Sequence, residues 1–270
     1  MIAGIFHEGS GLGDQLFRYI TVRTLAEKKG CKWEMMNHRF FKGQDFLKIP
    51  YVDEMPPKEY KAWLEKDVRG GQGIDIRSYD PEINFVEDNT VIDGSFEDER
   101  YYIHNLKNID SWLQVEPLQL PDDLCVISHR GGEYKLYPKL YLPDAYWHYC
   151  VDKMREINPQ MKFQVQTDDP SEARRIFPDL EVIDNQQISH SKHSQMGYNW
   201  RAIRYANYLI VGNSAFSTIP SLLSPAKVIL APRYHAGHNV GIWQRPACYH
   251  RRYQYISPSD YHNEIYTTTN

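Results

Sequence analysis

A chain of 270 residues is long enough for one large or two smaller packed units, and its formal charge of −4 argues against a general nucleic-acid binder. Any polyanion it holds must be met locally by a few placed Arg or Lys side chains. The four cysteines, Cys31, Cys125, Cys150 and Cys248, lie far apart without a C-x-x-C pair, which favours free thiols over disulfides or zinc. No apolar run approaches the length of a membrane span, no charged-then-apolar leader occurs, and N-x-[ST] is absent. The reading is of a soluble cytoplasmic protein with no membrane span.

Strand-like and helix-like segments alternate. IAGIF at 2–6 reads as a strand ending in a glycine cluster. Residues 14–29 read as a helix, with Leu16, Tyr19, Ile20, Val22 and Leu25 at helical spacing and Gly30 as a stop. CKWEMM at 31–36 is the next strand. Residues 40–82 are mixed, broken by Pro50, Pro56, Pro57 and RGGQG at 69–73. TVIDGSF at 90–96 predicts a strand, and a helix is expected from Glu97 to Trp112. VEPLQLPDD at 115–123 reads as a connection, dividing the chain into domains 1–120 and 121–270.

Beyond it the rhythm sharpens. Strands are expected at 124–129, 162–167, 180–184, 208–213 and 227–232, with helices at 142–157, 170–177, 195–206 and 214–223. This alternation predicts an α/β fold with parallel sheets covered on both faces. Ligands in such folds bind beyond the carboxyl ends of strands. Three strand ends therefore stand out: His7–Asp14, Ser128–Tyr134 and Gly212–Ser217.

Gly9-x-Gly11-x-Gly13 departs from the G-x-G-x-x-G dinucleotide fingerprint, whose third glycine would fall on Asp14. An acid there suits a helix dipole and repels a pyrophosphate. Arg130 beside Gly131 and Gly132 offers a permanently charged fork with open backbone, suited to a diphosphate or to a surface turn. Ser214 caps the helix that follows, and Ser217 falls in its first turn. The pairs His190/His193 and His235/His238 have helical metal-ligand spacing, but their surroundings read as loops. Asp168–Asp169 ends a strand, where it can cap a helix or touch a nucleotide. No Asp-x-Asp occurs.

In order, these segments resemble the inverting, GDP-fucose-dependent fucosyltransferases, especially the bacterial-type α-1,2 enzymes. The opening G-G-L-G-N-Q-[ML]-F-Q-Y block is matched by Gly9-Ser10-Gly11-Leu12-Gly13-Asp14-Gln15-Leu16-Phe17-Arg18-Tyr19. The G-Y-F-Q-x-x-x-Y-F block is similar to Gly94–Tyr102, and H-x-R-R-G-D-Y to Ser128–Tyr134. S-D-D corresponds to Thr167-Asp168-Asp169, and N-S-[ST]-F-S-W-W to Asn213–Ile219. The matches are collinear over residues 1 to about 232. Departures mark a divergent member: Ser128 or a shifted His129 at the family His, Gly131 at the second Arg, Glu133 at the Asp, and Thr218 and Ile219 at the tryptophans.

The resemblance implies a GT-B-like fold of two Rossmann-like lobes with a cleft between them. The first lobe would take the glycan acceptor and the second the nucleotide-sugar donor, without a metal or a resident cofactor. It implies transfer of fucose from GDP-fucose to a glycan hydroxyl with inversion. The leaving diphosphate then needs fixed charge and donors. Arg130 would supply the charge. Donors are expected from the Gly11–Gly13, Asp14 and Gln15 turn, from Ser128 and His129, and from Asn213, Ser214, Phe216 and Ser217. Asp168 and Asp169 would meet guanine or ribose. His7, Glu8 and Glu133 are candidate bases for the acceptor hydroxyl, with His7 and Glu8 on the acceptor side. Alternatives are another GDP-sugar such as GDP-mannose, a non-catalytic nucleotide- or sugar-binding module, and an NAD-dependent oxidoreductase with Glu34 as the ribose acid.

Overall fold

The computed structural model describes residues 1–50, 60–66, 68–70, 74–76, 79–138, 140–184, 194–233 and 250–261. Both histidine pairs, at 190/193 and 235/238, and Cys248 lie outside the described residues. One compact unit is built on Met1–Val115, and a second on Glu116–Pro246 and His250–Asn270.

In the first unit the strands are β1 (Ile2–Ile5), β2 (Trp33–Met36), β3 (Lys61–Leu64), the pair β4 (Val68–Gly70) and β5 (Ile74–Ile76), and β6 (Thr90–Asp93). A parallel sheet has the order β2-β1-β6-β3, while β4 and β5 form a separate antiparallel ribbon. Helix α1 (Leu12–Lys29) links β1 to β2 and buries Leu16, Phe17, Ile20, Val22 and Leu25. It starts two residues earlier than the sequence predicts, because Gly11 takes the extended N-cap conformation. Gly30 in the left-handed region (φ 64°) ends it. Gly4 lies beneath the helix, where a Cβ would sit 2.6 Å from Val22 Cγ2 and 3.0 Å from Met35 Sδ.

The continuous helix expected over 97–112 is broken. Phe96 turns to φ 52°, and the Asp98 carboxylate accepts the N–H groups of Tyr79 (3.2 Å) and Arg100 (3.0 Å). Asp98 thereby starts a 3-10 turn at Glu99–Tyr101, a second turn follows at Ile103–Asn105, and only α2 (Leu106–Trp112) is α-helical. Tyr102 is fully buried against Phe17, ring centroids 5.9 Å apart. Tertiary packing and side-chain capping override the helical pattern here.

From Leu124 to Pro232 the second unit alternates strand and α-helix. Its elements are β7 (Leu124–His129), α3 (Asp144–Ile157), β8 (Lys162–Thr167), α4 (Pro170–Ile176), β9 (Glu181–Ile183), α5 (Gln195–Tyr205), β10 (Tyr208–Val211), α6 (Ala215–Leu223), β11 (Val228–Pro232), β12 (Gln254–Ile256) and α7 (Pro258–Tyr261). All six strands are parallel in the order β12-β11-β10-β7-β8-β9. The chain starts at the middle, winds out through β8 and β9, then returns to wind the other way from β10. That is the doubly wound order, with its reversal between β7 and β10.

All six residues of β7 are buried, as a strand covered on both faces requires. One face packs Trp147, Cys150 and Met154 of α3 with Ile176 of α4, and the other packs Ala202 and Ile203 of α5. Arg201, 7% exposed, donates to the carbonyls of Glu116 (2.7 Å) and Pro117 (3.0 Å) and fastens the entering segment to α5. Cys125 and Cys150 are buried free thiols, and Cys31 is a half-buried one. No helix among the described residues is long and apolar enough to cross a membrane. The fold is α/β with two parallel sheets.

Candidate functional site

In a doubly wound sheet the crevice opens where the strand order reverses, beyond the carboxyl ends of the two strands that flank the reversal. Here these ends are His129 and Val211. A cavity of about 260 Å³ lies at this place, walled by Ser128, His129 and Arg130 at the end of β7, Gln166, Thr167 and Asp168 at the end of β8, and Ser214 and Phe216 at the start of α6. Gln195, Met196 and Asn199 from α5 complete the wall.

His129 is 3% exposed, with its ring edge-on to Trp147 and Phe177. Burial drives its pKa down to about 4 against the pull of nearby carboxylates, so the ring is neutral near pH 7. Thr167 Oγ1 accepts the Asp169 N–H (3.0 Å) and lies 2.9 Å from His129 Nδ1. A hydroxyl has one proton and two lone pairs, so Thr167 serves His129 Nδ1 as donor or as acceptor. His129 Nε2 is a buried ring nitrogen without a hydrogen-bond partner among the described residues.

Arg130 joins Asp168 (Nη1–Oδ2, 2.6 Å) and Glu133 (Nη2–Oε1, 2.8 Å), and its guanidinium stands over the Tyr134 ring at 5.3 Å. The fork is thus engaged by two carboxylates. Asp168 also accepts the Gly131 N–H (2.9 Å). The glycine pair makes this approach possible: a Cβ on Gly132 would collide with the Asp168 carboxylate, and one on Gly131 would lie 2.7 Å from Asp169 Cβ. Asp169 caps α4 through the Glu172 N–H (3.1 Å) and pairs with Lys135, whose hydrogen bond holds its carboxyl below the usual range.

Six sequence-predicted residues therefore meet around one cavity: Ser128, His129, Arg130, Asp168, Ser214 and Phe216. Three neighbours are used internally. Asn213 is 8% exposed and donates to the Leu140 carbonyl (2.8 Å). Ser217 is 1% exposed and donates to the Ser214 carbonyl (3.0 Å). Asp169 is the α4 cap. Sequence reasoning missed Gln166, Thr167, Gln195, Met196 and Asn199, although Thr167 ends a strand and Gln195 directly follows the N-cap Ser194, both readable signals.

In the first unit the glycine turn is shaped for its own helix. Gly13 is buried, and Asp14 Oδ2 lies 3.2 Å from where a Cβ on Gly11 would stand. The acid thus folds back over the N-terminal end of α1. Gln15 is fully buried: its amide donates to the Phe40 carbonyl (2.7 Å) and accepts the Lys42 N–H (2.9 Å). Glu8 is exposed. Glu34 sits in the body of β2 opposite Ala3, short of the strand end where a ribose acid belongs.

His7, directly beyond β1, has a partner that the sequence reading did not identify. Its Nε2 lies 2.9 Å from Asp93 Oδ2 at the carboxyl end of β6. Asp93 Oδ1 accepts the Gly94 N–H (2.9 Å) and faces Arg18 Nε (3.4 Å), and Arg18 Nη1 reaches Ser10 Oγ (3.3 Å). Among the described residues no group of three His, Cys, Asp or Glu side chains is arranged to hold a metal ion.

No family model matches the chain. No curated protein matches it either. Among solved structures it is similar to the E. coli heptosyltransferase WaaC with ADP, at 13% identity over 95% of this chain and 93% of that one, with a TM-score of 0.50. It is also similar to Arabidopsis thaliana FUT1 with GDP, at 10% identity over 87% and 73% of the two chains, TM-score 0.49. A third is the fucosyltransferase NodZ from Bradyrhizobium, at 12% identity over 83% and 93%, TM-score 0.44. The likeness to the heptosyltransferase shows the fold: two parallel α/β sheets of the GT-B kind.

Proposed function

We propose that this chain is a glycosyltransferase that moves fucose from GDP-fucose to a glycan hydroxyl with inversion and without a metal. The observation that carries the reading is the cavity at the strand-order reversal of the second unit. It gathers a guanidinium, a neutral imidazole with an unpartnered Nε2 and the capped start of α6 where a doubly wound sheet binds nucleotides.

As the bond from the sugar C1 to phosphate breaks, charge accumulates on the diphosphate oxygens. Arg130 meets it with a fixed positive fork, and His129, in the tautomer with its hydrogen on Nε2, adds a donor that carries no charge of its own. For the fork to reach phosphate it must leave a carboxylate. Asp168 and Glu133 thus hold Arg130 in place before the donor arrives and compete with it afterwards. Freed from Arg130, Asp168 stands at the end of the second strand of the unit, placed to accept hydroxyl or amide hydrogens of the nucleoside. Phe216 offers an apolar wall for its base.

The test is incubation with GDP-fucose and a panel of β-galactosides, in buffer with and without EDTA. GDP release and the anomeric configuration of the product are the readouts. An α-fucoside from the β-linked donor, unaffected by EDTA, is the expected result. Release of GDP from no GDP-sugar, with or without acceptor, would overturn the reading.

A further inference from the structure

We infer that the first unit carries a saccharide-binding site of its own, in the cavity between the second half of α1 and the turns that follow β5 and β6. The inference is of binding alone, and it stands whether or not the chain transfers a sugar. The cavity holds about 500 Å³, within the range of small-molecule sites. Every residue of its wall lies between Thr21 and Asn108, inside one compact unit.

One wall is the helix. Thr21, Thr24, Leu25 and Lys28 share a face of α1 at helical spacing and line the cavity together. Thr21 is 1% exposed, and its Oγ1 has no hydrogen-bond partner among the described residues. A buried hydroxyl without a partner costs stability until a polar group meets it, so this atom suits a ligand that brings one.

The facing wall is polar and already ordered. Lys28 Nζ can only donate, so Asn84 Oδ1 accepts from it (2.7 Å) and Asn84 Nδ2 donates to Tyr79 Oη (2.7 Å). Tyr79 Oη thus accepts from inside the protein and has its own proton to give. Nearby, the Glu27 carboxylate accepts Nδ2 of Asn105 (3.1 Å) and of Asn108 (3.3 Å). That fixes both amides and leaves Asn108 Oδ1 as an acceptor without a partner among the described residues. Leu25, Ile83 and the Tyr101 ring, all buried, supply apolar surface between these groups.

Spare donors and spare acceptors therefore stand side by side over an apolar floor. A sugar hydroxyl both donates and accepts, and a sugar ring has apolar C–H faces, so a saccharide satisfies the whole set. An anion does not. It brings only acceptors and would face Glu27 and Asn108 Oδ1, while the two cations of the wall are occupied. Lys28 is held by Asn84, and Arg100 is clamped by both oxygens of Asp98 (2.8 and 2.6 Å). An apolar ligand would bury Thr21 Oγ1 and Asn108 Oδ1 without partners, which is costly.

The experiment titrates lactose, maltotriose, chitotriose and mannobiose into the full chain, with inorganic phosphate as the competing chemistry, and follows backbone amide resonances by NMR. At least one saccharide should shift residues within 21–28 and 79–108 saturably, and phosphate should not. Thr21→Val and Asn108→Ala should each weaken that saccharide by about fivefold to tenfold, the loss of one hydrogen bond. Thr21→Val should also unfold at no lower urea concentration than wild type, because it removes an unpartnered hydroxyl.

If none of these saccharides shifts those residues, or if phosphate shifts them at lower concentration than every saccharide, the inference is overturned. Wild-type saccharide affinity in both variants would overturn it as well. A lower urea midpoint for Thr21→Val would make the hydroxyl structural and remove it from the site. Turnover of GDP-fucose is not among the readouts, so failure of the transferase reading is a separate result.

Discussion

Arg130 reaches across from the end of β7 to Asp168 at the end of β8, the two groups 2.6 Å apart and each about one-third exposed. The sequence alone presents Arg130 as an open cation beside two glycines. The structure shows a cation already engaged, with Gly131 and Gly132 admitting the carboxylate that engages it. Neutralising the competitor should therefore favour a ligand that needs only the guanidinium. Asp168→Asn is expected to bind inorganic pyrophosphate about fivefold more tightly, the equivalent of about 1 kcal/mol for a partly exposed pair. Titration calorimetry with pyrophosphate checks this, and weaker binding in the variant would contradict it.

His129 makes stability depend on pH with a definite sign. Its folded pKa is about 4 against an ordinary value of 6.5, so between these values the unfolded chain binds a proton that the folded chain refuses. Its contribution is complete above pH 6.5 and is lost as pH falls toward 4. The full shift corresponds to about 3 kcal/mol for this buried ring. Urea unfolding at a series of pH values should show wild type losing roughly that much more than His129→Gln on acidification. Parallel curves would contradict the assignment.

Gln15 separates a structural role from a binding one. Its amide is the bridge between α1 and the backbone at Phe40 and Lys42, with no exposed surface. Gln15→Leu strands a carbonyl and an N–H and should cost about 2–3 kcal/mol in chemical unfolding. The GDP affinity of the folded fraction should be unaltered. A stable variant with impaired nucleotide binding would reverse that conclusion.

Gly4 is a glycine for packing. Ala there forces a methyl against Val22 and Met35, and the strand and helix must separate slightly. A loss of about 1–3 kcal/mol is expected, read as a lower melting temperature. An unchanged melting temperature would show that the contact relaxes freely.

How far the sequence exposed all this depends on burial. The second unit was readable because its strands are covered on both faces, as in Leu124–His129, and because Asp169-Pro170 and Ser214 mark helix starts by capping chemistry. β3 was hidden because Lys61, Ala62 and Leu64 are exposed and show no apolar alternation. β12 was hidden because three residues are too few for a period. The helix expected from Glu97 failed at Asp98, whose carboxylate serves backbone N–H groups outside a regular helix.

Within the site, strand-end residues were found by position, yet type alone could not tell Ser214, on the cavity wall, from Ser217, turned inward. The pairing of His7 with Asp93 was out of reach. It exists only through the order of strands in the first sheet, and nothing local in either segment announces it.

The central claim is that Arg130 and the cavity beside it hold a nucleoside diphosphate. Calorimetric titration of GDP into wild type and Arg130→Ala tests it most directly. The account predicts saturable binding to wild type and a loss of about tenfold to a hundredfold in the variant, as expected for charge-assisted bonds to phosphate. Equal affinity in the two proteins, or no binding of GDP by wild type, would contradict it.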